Sequence, residues 1–284
     1  MRRFFEKFLL YLALFLVRII PFEKGYCLGD FYFSALWPLL ASERKRALSR
    51  MNKVLVGKSE KECEEILKKS FKNLTYTMVE IFYMNLYGKR FLDLIKIKNT
   101  GFENLKSVKE GGLMITAHYG NWEITGSLFT KHVMPQRFIA VGRAQSNNVL
   151  NDLALGTRAK LGMVNLTRHW RDLAKISREM KNKSVIGLVS DQHSSNGVVI
   201  NFMGRKARAF SGAFRLSSRF KCFSVISVVK RLNWGEFEWI LEEPLKLGDL
   251  DETEAIQKYS DGIVKIIKKD PTQWLWLHNR WKVD

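Results

Sequence analysis

Between Phe8 and Val17 the chain runs for ten residues without a charge, bracketed by Glu6 and Lys7 on one side and Arg18 on the other. A spanning helix needs about 20 apolar residues, so this stretch predicts a helix resting in or against a membrane interface. A buried core helix is the plain alternative. Counted from Phe4 to Ile20 with its end charges snorkelling, a marginal single span also stays open. The basic start and apolar middle resemble a signal peptide, but no small-x-small cleavage site follows and Arg18 stands where one would be expected.

From Tyr26 to Tyr87 the pattern is helical, and Ser59-x-x-Glu62 has the form of a capping box that would open a helix there. After Gly88 the texture changes. Ile95 to Lys98 alternates like a strand, and Gly112 leads into the apolar run Leu113 to Ala117. Further strands are expected at Phe138 to Val141, Val185 to Val189, Val198 to Phe202, Cys222 to Val229 and Glu236 to Leu241. Helices are expected at Trp122 to Lys131, Asn147 to Leu161, Trp170 to Lys181, Gly212 to Phe220 and Thr253 to Lys269. Strands alternating with helices of this length predict an α/β fold. The expected architecture is a central mixed, partly parallel sheet flanked by helices, preceded by the N-terminal hydrophobic helix and a helical subdomain. The boundaries are a membrane-associating helix over 1–22, a helical region over 23–90 and one continuous α/β region over 91–284.

Composition adds one informative quantity. Hydrophobic residues at 46% and charged residues at 26% are ordinary for a globular chain, but 47 basic against 28 acidic residues leave a net charge of +19. So basic a surface attracts anions: nucleic acid, anionic lipid or acidic proteins. From Gln192 to Gly235 there is no acidic residue, while Arg205, Lys206, Arg208, Arg215, Arg219, Lys221, Lys230 and Arg231 are all basic. That stretch suits phosphates of a glycolipid, the acidic face of a carrier protein or anionic headgroups, with plain solubility as the bland explanation for some of it. A nucleic-acid reader motif is missing, so nucleic acid is not an expected partner. The three cysteines, Cys27, Cys63 and Cys222, form no Cys-x-x-Cys pair and support neither a zinc site nor a disulfide framework. No cofactor is expected.

The segment that carries chemistry is Thr116-Ala117-His118-Tyr119-Gly120-Asn121-Trp122-Glu123. It reads as a strand end, a histidine, a tight turn and a helix start, and the C-terminal ends of strands are where open α/β sheets build sites. Asn121 suits an N-cap and Gly120 permits the turn. Five positions apart on a helix, His118 and Glu123 would diverge. They converge only if His118 precedes the helix and Glu123 sits in its first turn. Glu123 would then accept from one imidazole nitrogen and leave the other free as a base. With no protein nucleophile beside them, the nucleophile would be a hydroxyl or amine of the substrate. Taken alone, a histidine at a strand end and a glutamate favouring a helix N-terminus need no catalytic explanation.

The surrounding residues change that. His-x-Gly-Asn-Trp-Glu after an apolar strand resembles the His-x4-Asp/Glu motif of the Kdo2-lipid A late acyltransferases, membrane-associated bacterial enzymes within the wider glycerolipid acyltransferase fold group. The resemblance continues through the N-terminal hydrophobic helix, Arg143 after a strand, Arg168 ahead of a helix, Asp191-Gln192-His193 at a strand end and Asn201-Phe202-Met203-Gly204. It closes on Gln273-Trp274-Leu275-Trp276-Leu277-His278-Asn279-Arg280-Trp281-Lys282. Phe202-Met203 departs from the Phe-Phe or similar pair common in the family.

The resemblance implies transfer of a fatty acyl chain from an acyl-carrier-protein thioester to a hydroxyl of a lipid A-type glycolipid, at the cytoplasmic face of the inner membrane. It implies His118 as general base and Glu123 as the acid that orients it. Arg143, Arg168 (or Arg171, one turn away), Asp191, Gln192 and Arg205 become substrate-binding candidates. For Asp191, a second carboxylate near the site and a turn cap are both open. Two of the three tail tryptophans, Trp274, Trp276 and Trp281, are expected in the core, and His278 is given no catalytic role. Two other functions compete: the same chemistry on another acceptor (a lysophospholipid, a phosphoinositide mannoside or an amino-lipid), and a non-catalytic protein that binds anionic membrane or nucleic acid.

Overall fold

The computed structural model of the chain describes residues 2–132, 137–142, 148–167 and 170–282, without the side chains of residues 2–10, 148, 170 and 171. Four helices come first: α1 (Arg2–Ile19), α2 (Tyr26–Leu36), α3 (Ala41–Val54) and α4 (Glu60–Tyr87). Then follow β1 (Lys96–Thr100), β2 (Gly112–Thr116), α5 (Thr125–His132), β3 (Phe138–Gly142), α6 (Asn148–Lys160), β4 (Val164–Thr167), α7 (Trp170–Lys181) and β5 (Val185–Val189). The chain continues through β6 (Val198–Phe202), β7 (Arg205–Ala209), α8 (Gly212–Phe220), β8 (Ser224–Asn233), β9 (Glu236–Leu241) and α9 (Glu252–Lys269).

The main sheet has seven strands in the order β1-β9-β8-β2-β5-β3-β4, and β6 and β7 form a separate antiparallel hairpin. From β8 to β4 every pairing is parallel, while β9 runs against β8 and carries β1 with it. The expected mixed, partly parallel sheet is therefore present, and most of its pairings are parallel. All five β2 residues are buried, which is why Gly-Leu-Met-Ile-Thr reads as a continuous apolar run rather than an alternation. Its side chains divide between two cores with the period of a strand: Leu113 and Ile115 join Ile186 and Ile226 on one face, Met114 joins Val185 and Val225 on the other.

Local signals account for several element ends. Ser59 Oγ accepts from the Glu62 backbone N–H while Glu62 accepts from the Ser59 N–H, so the capping box starts α4. Helix α5 begins later than its apolar pattern suggests, because Trp122–Ile124 forms a 3₁₀ turn capped by Asn121. Strands β4 and β7 were not legible. Strand β4 is four half-buried residues, and the Arg-Lys-Ala-Arg-Ala of β7 has the composition of a basic loop, although two of its alanines are buried. After α9 the chain makes a 3₁₀ turn over Pro271–Gln273 and continues as an irregular tail in which Trp274 and Trp276 are fully buried, as expected, and Trp281 is half-buried.

Helix α1 lies against α4 through the buried Ala13 and Val17. Tyr11, Phe15 and Ile19, spaced four apart on the opposite face, are exposed by 67%, 56% and 63%. Among the described residues, no helix is long and apolar enough to cross a membrane.

Candidate active site

Strands β2 and β5 are parallel neighbours with Thr116 opposite Val189. Two residues beyond each lie His118 and Asp191, so the register delivers both side chains to the same edge of the sheet. The imidazole Nδ1 is 2.7 Å from Asp191 Oδ1, and the His118 backbone N–H donates to Oδ2 at 3.0 Å. The Trp274 indole N–H donates to the same Oδ2 at 2.7 Å. Burial raises the Asp191 carboxyl, but the charge of His118 and the three donors outweigh it and hold it at about 2. Asp191 is therefore an acceptor at neutral pH, which makes Nδ1 the protonated nitrogen of His118 and Nε2 the free one. Nε2 lies 3.3 Å from the side-chain nitrogen of Gln192, and the imidazole remains 19% exposed.

Glu123 does not orient the imidazole. Its carboxylate is taken by Arg158 of α6 through two hydrogen bonds, Nε to Oε2 at 2.8 Å and Nη2 to Oε1 at 2.7 Å, and by the Trp122 indole N–H at 3.0 Å. The 3₁₀ turn explains the outcome: Asn121 Oδ1 caps the Glu123 backbone N–H, and this sets Glu123 in a turn whose side chain meets α6. Burial pushes the Glu123 carboxyl up, but Arg158 above all, then Trp122 and the charge of His118, bring it below its ordinary value. The same pairing raises the Arg158 guanidinium. A fixed ion pair thus borders the imidazole, whose ring centroid is 5.0 Å from that of Trp122.

The turn that carries His118 is held from behind. Gly120 has φ +55°, and a Cβ there would meet the Val229 carbonyl at 1.9 Å, so only glycine fits. The Gly120 N–H donates to the Gln273 carbonyl and the Asn121 N–H to Val229, each at 3.0 Å. The Asn121 side-chain amide donates to Glu80 Oε2 at 2.6 Å, and Glu80 is fully buried on α4. Glu80 in turn pairs with Arg231 of β8, whose guanidinium also donates to Asn73 at 2.6 Å and Thr77 at 2.9 Å. Thr77 completes the enclosure by donating to the Gly120 carbonyl at 3.1 Å. On the tail side, Leu275 N–H donates to the His118 carbonyl at 3.1 Å, and Ser70 donates to the Trp274 carbonyl.

Among the residues singled out from sequence, His118, Glu123, Asp191 and Gln192 therefore meet. Asp191, rather than Glu123, makes the contact to the imidazole, and it also accepts the His118 backbone N–H. Arg205 is exposed at the start of β7 and belongs to a different feature, described below. Arg143, Arg168 and Arg171 lie outside the residues described at the side-chain level. Arg231, read from sequence as part of a charged surface, is 7% exposed and structural. The arginine at the site, Arg158, was missed; it sits in an ordinary amphipathic stretch and only the packing of α6 beside the turn reveals it. His278 accepts from the His193 backbone N–H at 3.3 Å, and burial is the main cause that pushes its imidazole down to about 4. It stands neutral beside the dyad. No group of metal-ligating side chains occurs among the described residues.

The sequence model of a family described as bacterial lipid A biosynthesis acyltransferase matches residues 1–283. No curated protein matches the chain. Among solved structures, the chain is similar to the 1-acyl-sn-glycerophosphate (LPA) acyltransferase PlsC from Thermotoga maritima, at 14% identity and a TM-score of 0.43, over 90% of this chain and 100% of that one. A likeness at that score adds nothing to the reading of the site.

Proposed function

Because the chain belongs to the bacterial lipid A biosynthesis acyltransferases, matched over residues 1–283, we propose that His118 and Asp191 form the catalytic dyad of acyl transfer to a glycolipid hydroxyl. The donor in this reading is an acyl-carrier-protein thioester, and the reaction takes place at the cytoplasmic face of the inner membrane. An alcohol attacks a thioester slowly at neutral pH unless a base takes its proton as the bond forms. Nε2 of His118 is the base. The acceptor hydroxyl takes the position facing Nε2 that the Gln192 amide now fills, and gives up its proton as its oxygen bonds to the thioester carbon. Asp191 stabilises the imidazolium through Nδ1–H. The carbon–sulfur bond then breaks, and the thiolate leaves with the proton that His118 returns. The Glu123–Arg158 pair fixes the wall of the site beside the ring.

The observation that supports this reading most is the 2.7 Å contact from Nδ1 to a buried, ionised Asp191, on a histidine that stays 19% exposed with its Nε2 3.3 Å from the Gln192 amide. The exposed Tyr11, Phe15 and Ile19 face of α1, beside a net charge of +19, supports peripheral attachment to an anionic membrane. The test is transfer from an acyl-carrier-protein thioester to a lipid A precursor, followed by mass spectrometry. General-base help is worth about 10²–10⁴-fold, so folded His118→Ala should lose roughly that factor. Wild-type rates in His118→Ala would remove the assignment.

A further inference from the structure

Helix α3 buries Ala47, Met51 and Val54 against α4 and turns the other face outward. That face carries Lys45, Arg46, Ser49, Arg50 and Lys53, positions that fall in one stripe of a 3.6-residue helix. Opposite them stand Arg205 from the β6–β7 hairpin and Asn279 and Trp281 from the tail, and the two walls enclose a cleft of about 450 Å³. Five cations thus face one hollow, and among the described residues no carboxylate lines it. Glu43 pairs with Arg46 from outside the wall at 2.9 Å.

Arg50 sits at the base. Its Nη2 donates to the carbonyls of Trp276 and Leu277, each at 3.3 Å, and its buried Nε has no hydrogen-bond partner among the described residues. Burial and then the charge of Arg46 both push the guanidinium below its ordinary value. Gathering like charges around a half-buried guanidinium is unfavourable in the empty protein, and a bound anion relieves it.

Shape decides what kind of anion. The volume lies within the range of small-ligand sites, whereas an acidic protein surface needs a broad face to dock on. Guanidinium forks match phosphate oxygens, and the Trp281 ring and Asn279 amide beside them offer a stacking surface and a hydrogen-bonding group for a sugar. The tail links this cleft to the dyad: Leu275 N–H holds the His118 carbonyl, Trp274 holds Asp191, and Arg50 holds Trp276 and Leu277. Leu275 and Asn279 are four steps apart in the chain, a separation of at most about 15 Å even for a fully extended backbone.

We propose that this cleft binds a phosphorylated sugar headgroup of the acceptor lipid, by its phosphate, and so presents the acceptor hydroxyl to His118. The inference rests on the acyltransferase reading, and two measurements separate the fates of the two. Lys45→Gln and Lys53→Gln are combined in one variant, since both side chains are exposed and their loss spares the core. In the first measurement, full-length protein is titrated calorimetrically with glucose 1-phosphate, glucose and inorganic phosphate. The wild type should bind glucose 1-phosphate at least tenfold more tightly than either of the others, and the double variant should lose about tenfold. In the second, the KM for the phosphorylated acceptor should rise about tenfold or more in the double variant, while the KM for the acyl-carrier-protein thioester holds.

Inorganic phosphate bound as tightly as glucose 1-phosphate would overturn the proposal, because the cleft would then read a bare anion. A rise in the donor KM instead of the acceptor KM would overturn it in favour of carrier docking. Acyl transfer that needs His118 but ignores Lys45 and Lys53 would remove the cleft and leave the reaction standing. Glucose 1-phosphate binding that needs Lys45 and Lys53, in a protein that transfers no acyl group, would support the phosphate site and remove the reaction.

Discussion

Arg231 and Arg50 both hydrogen-bond to the tail that lies behind His118, and they meet opposite fates. Arg231 is 7% exposed, and its guanidinium donates to Glu80, Asn73 and Thr77. Glu80 is shared with Asn121, so the pair fixes the turn from which His118 projects. Arg50 lies half-buried among Lys45, Arg46, Lys53 and Arg205, and its Nε has no acceptor among the described residues. A charge closed off from water must find its partners inside the protein. A set of like charges left open to solvent is free to find them in a ligand. The first arrangement is scaffold and the second is a binding surface, and the two should respond differently to mutation.

The largest expected effect is on the scaffold. Arg231→Met strands the Glu80 carboxylate in the interior, and removing one partner of a buried pair costs about 3–5 kcal/mol. Urea unfolding of Arg231→Met should show that loss, and the Glu80→Gln/Arg231→Met double variant should recover part of it. If the single variant unfolds at the wild-type midpoint, the cluster is not what holds the turn.

Next comes the pH dependence of Asp191. Its folded value of about 2 lies below the ordinary 3.8, so the unfolded chain binds this proton more readily. The corresponding stability, on the order of 2 kcal/mol, is fully present above about pH 4 and is lost as the pH falls towards 2. Asp191→Asn should flatten that part of the stability profile measured by urea titration from pH 6 to pH 2. An unchanged profile would mean the carboxylate is not held down by His118 and its donors.

The smallest effect belongs to the open cleft. Combining Lys45→Gln with Lys53→Gln should shift stability by no more than about 0.5 kcal/mol, with a slight gain in low salt from relieved repulsion. A loss of several kcal/mol in thermal unfolding would show that these lysines are structural, and the contrast with Arg231 would collapse.

Much of this edge was legible in the sequence. The apolar run before His118, the glycine that admits the turn and the Asn121 cap are local signals, and each is fulfilled in place. What local signals do not carry is which strand lies beside which. Asp191 is 73 residues from His118, and only the parallel register of β2 and β5 makes them neighbours. For the same reason Glu123, five residues away, has the appearance of the natural partner, while Arg158, which claims it, lies 35 residues downstream in an ordinary helix. The acid-free run from Gln192 to Gly235 is visible, but its sorting into the buried Arg231 and the exposed Arg205 depends on tertiary packing. The cleft itself joins α3 to the tail across more than 220 residues of chain, as the Arg50–Trp276 hydrogen bond records.

In the proposed reaction Asp191, and not a residue nearer in sequence, makes His118 a base. The rate of acyl transfer by purified, folded Asp191→Asn tests it most directly, read beside His118→Ala and the double variant. Replacing the carboxylate by an amide removes the charge that stabilises the imidazolium and the acceptor that fixes Nδ1–H. A fall of about 10²–10⁴-fold is expected in Asp191→Asn, with the double variant hardly slower than His118→Ala alone, because the two act as a unit. A folded Asp191→Asn that transfers acyl groups within about threefold of the wild-type rate, well short of the loss expected for a general base, would contradict it.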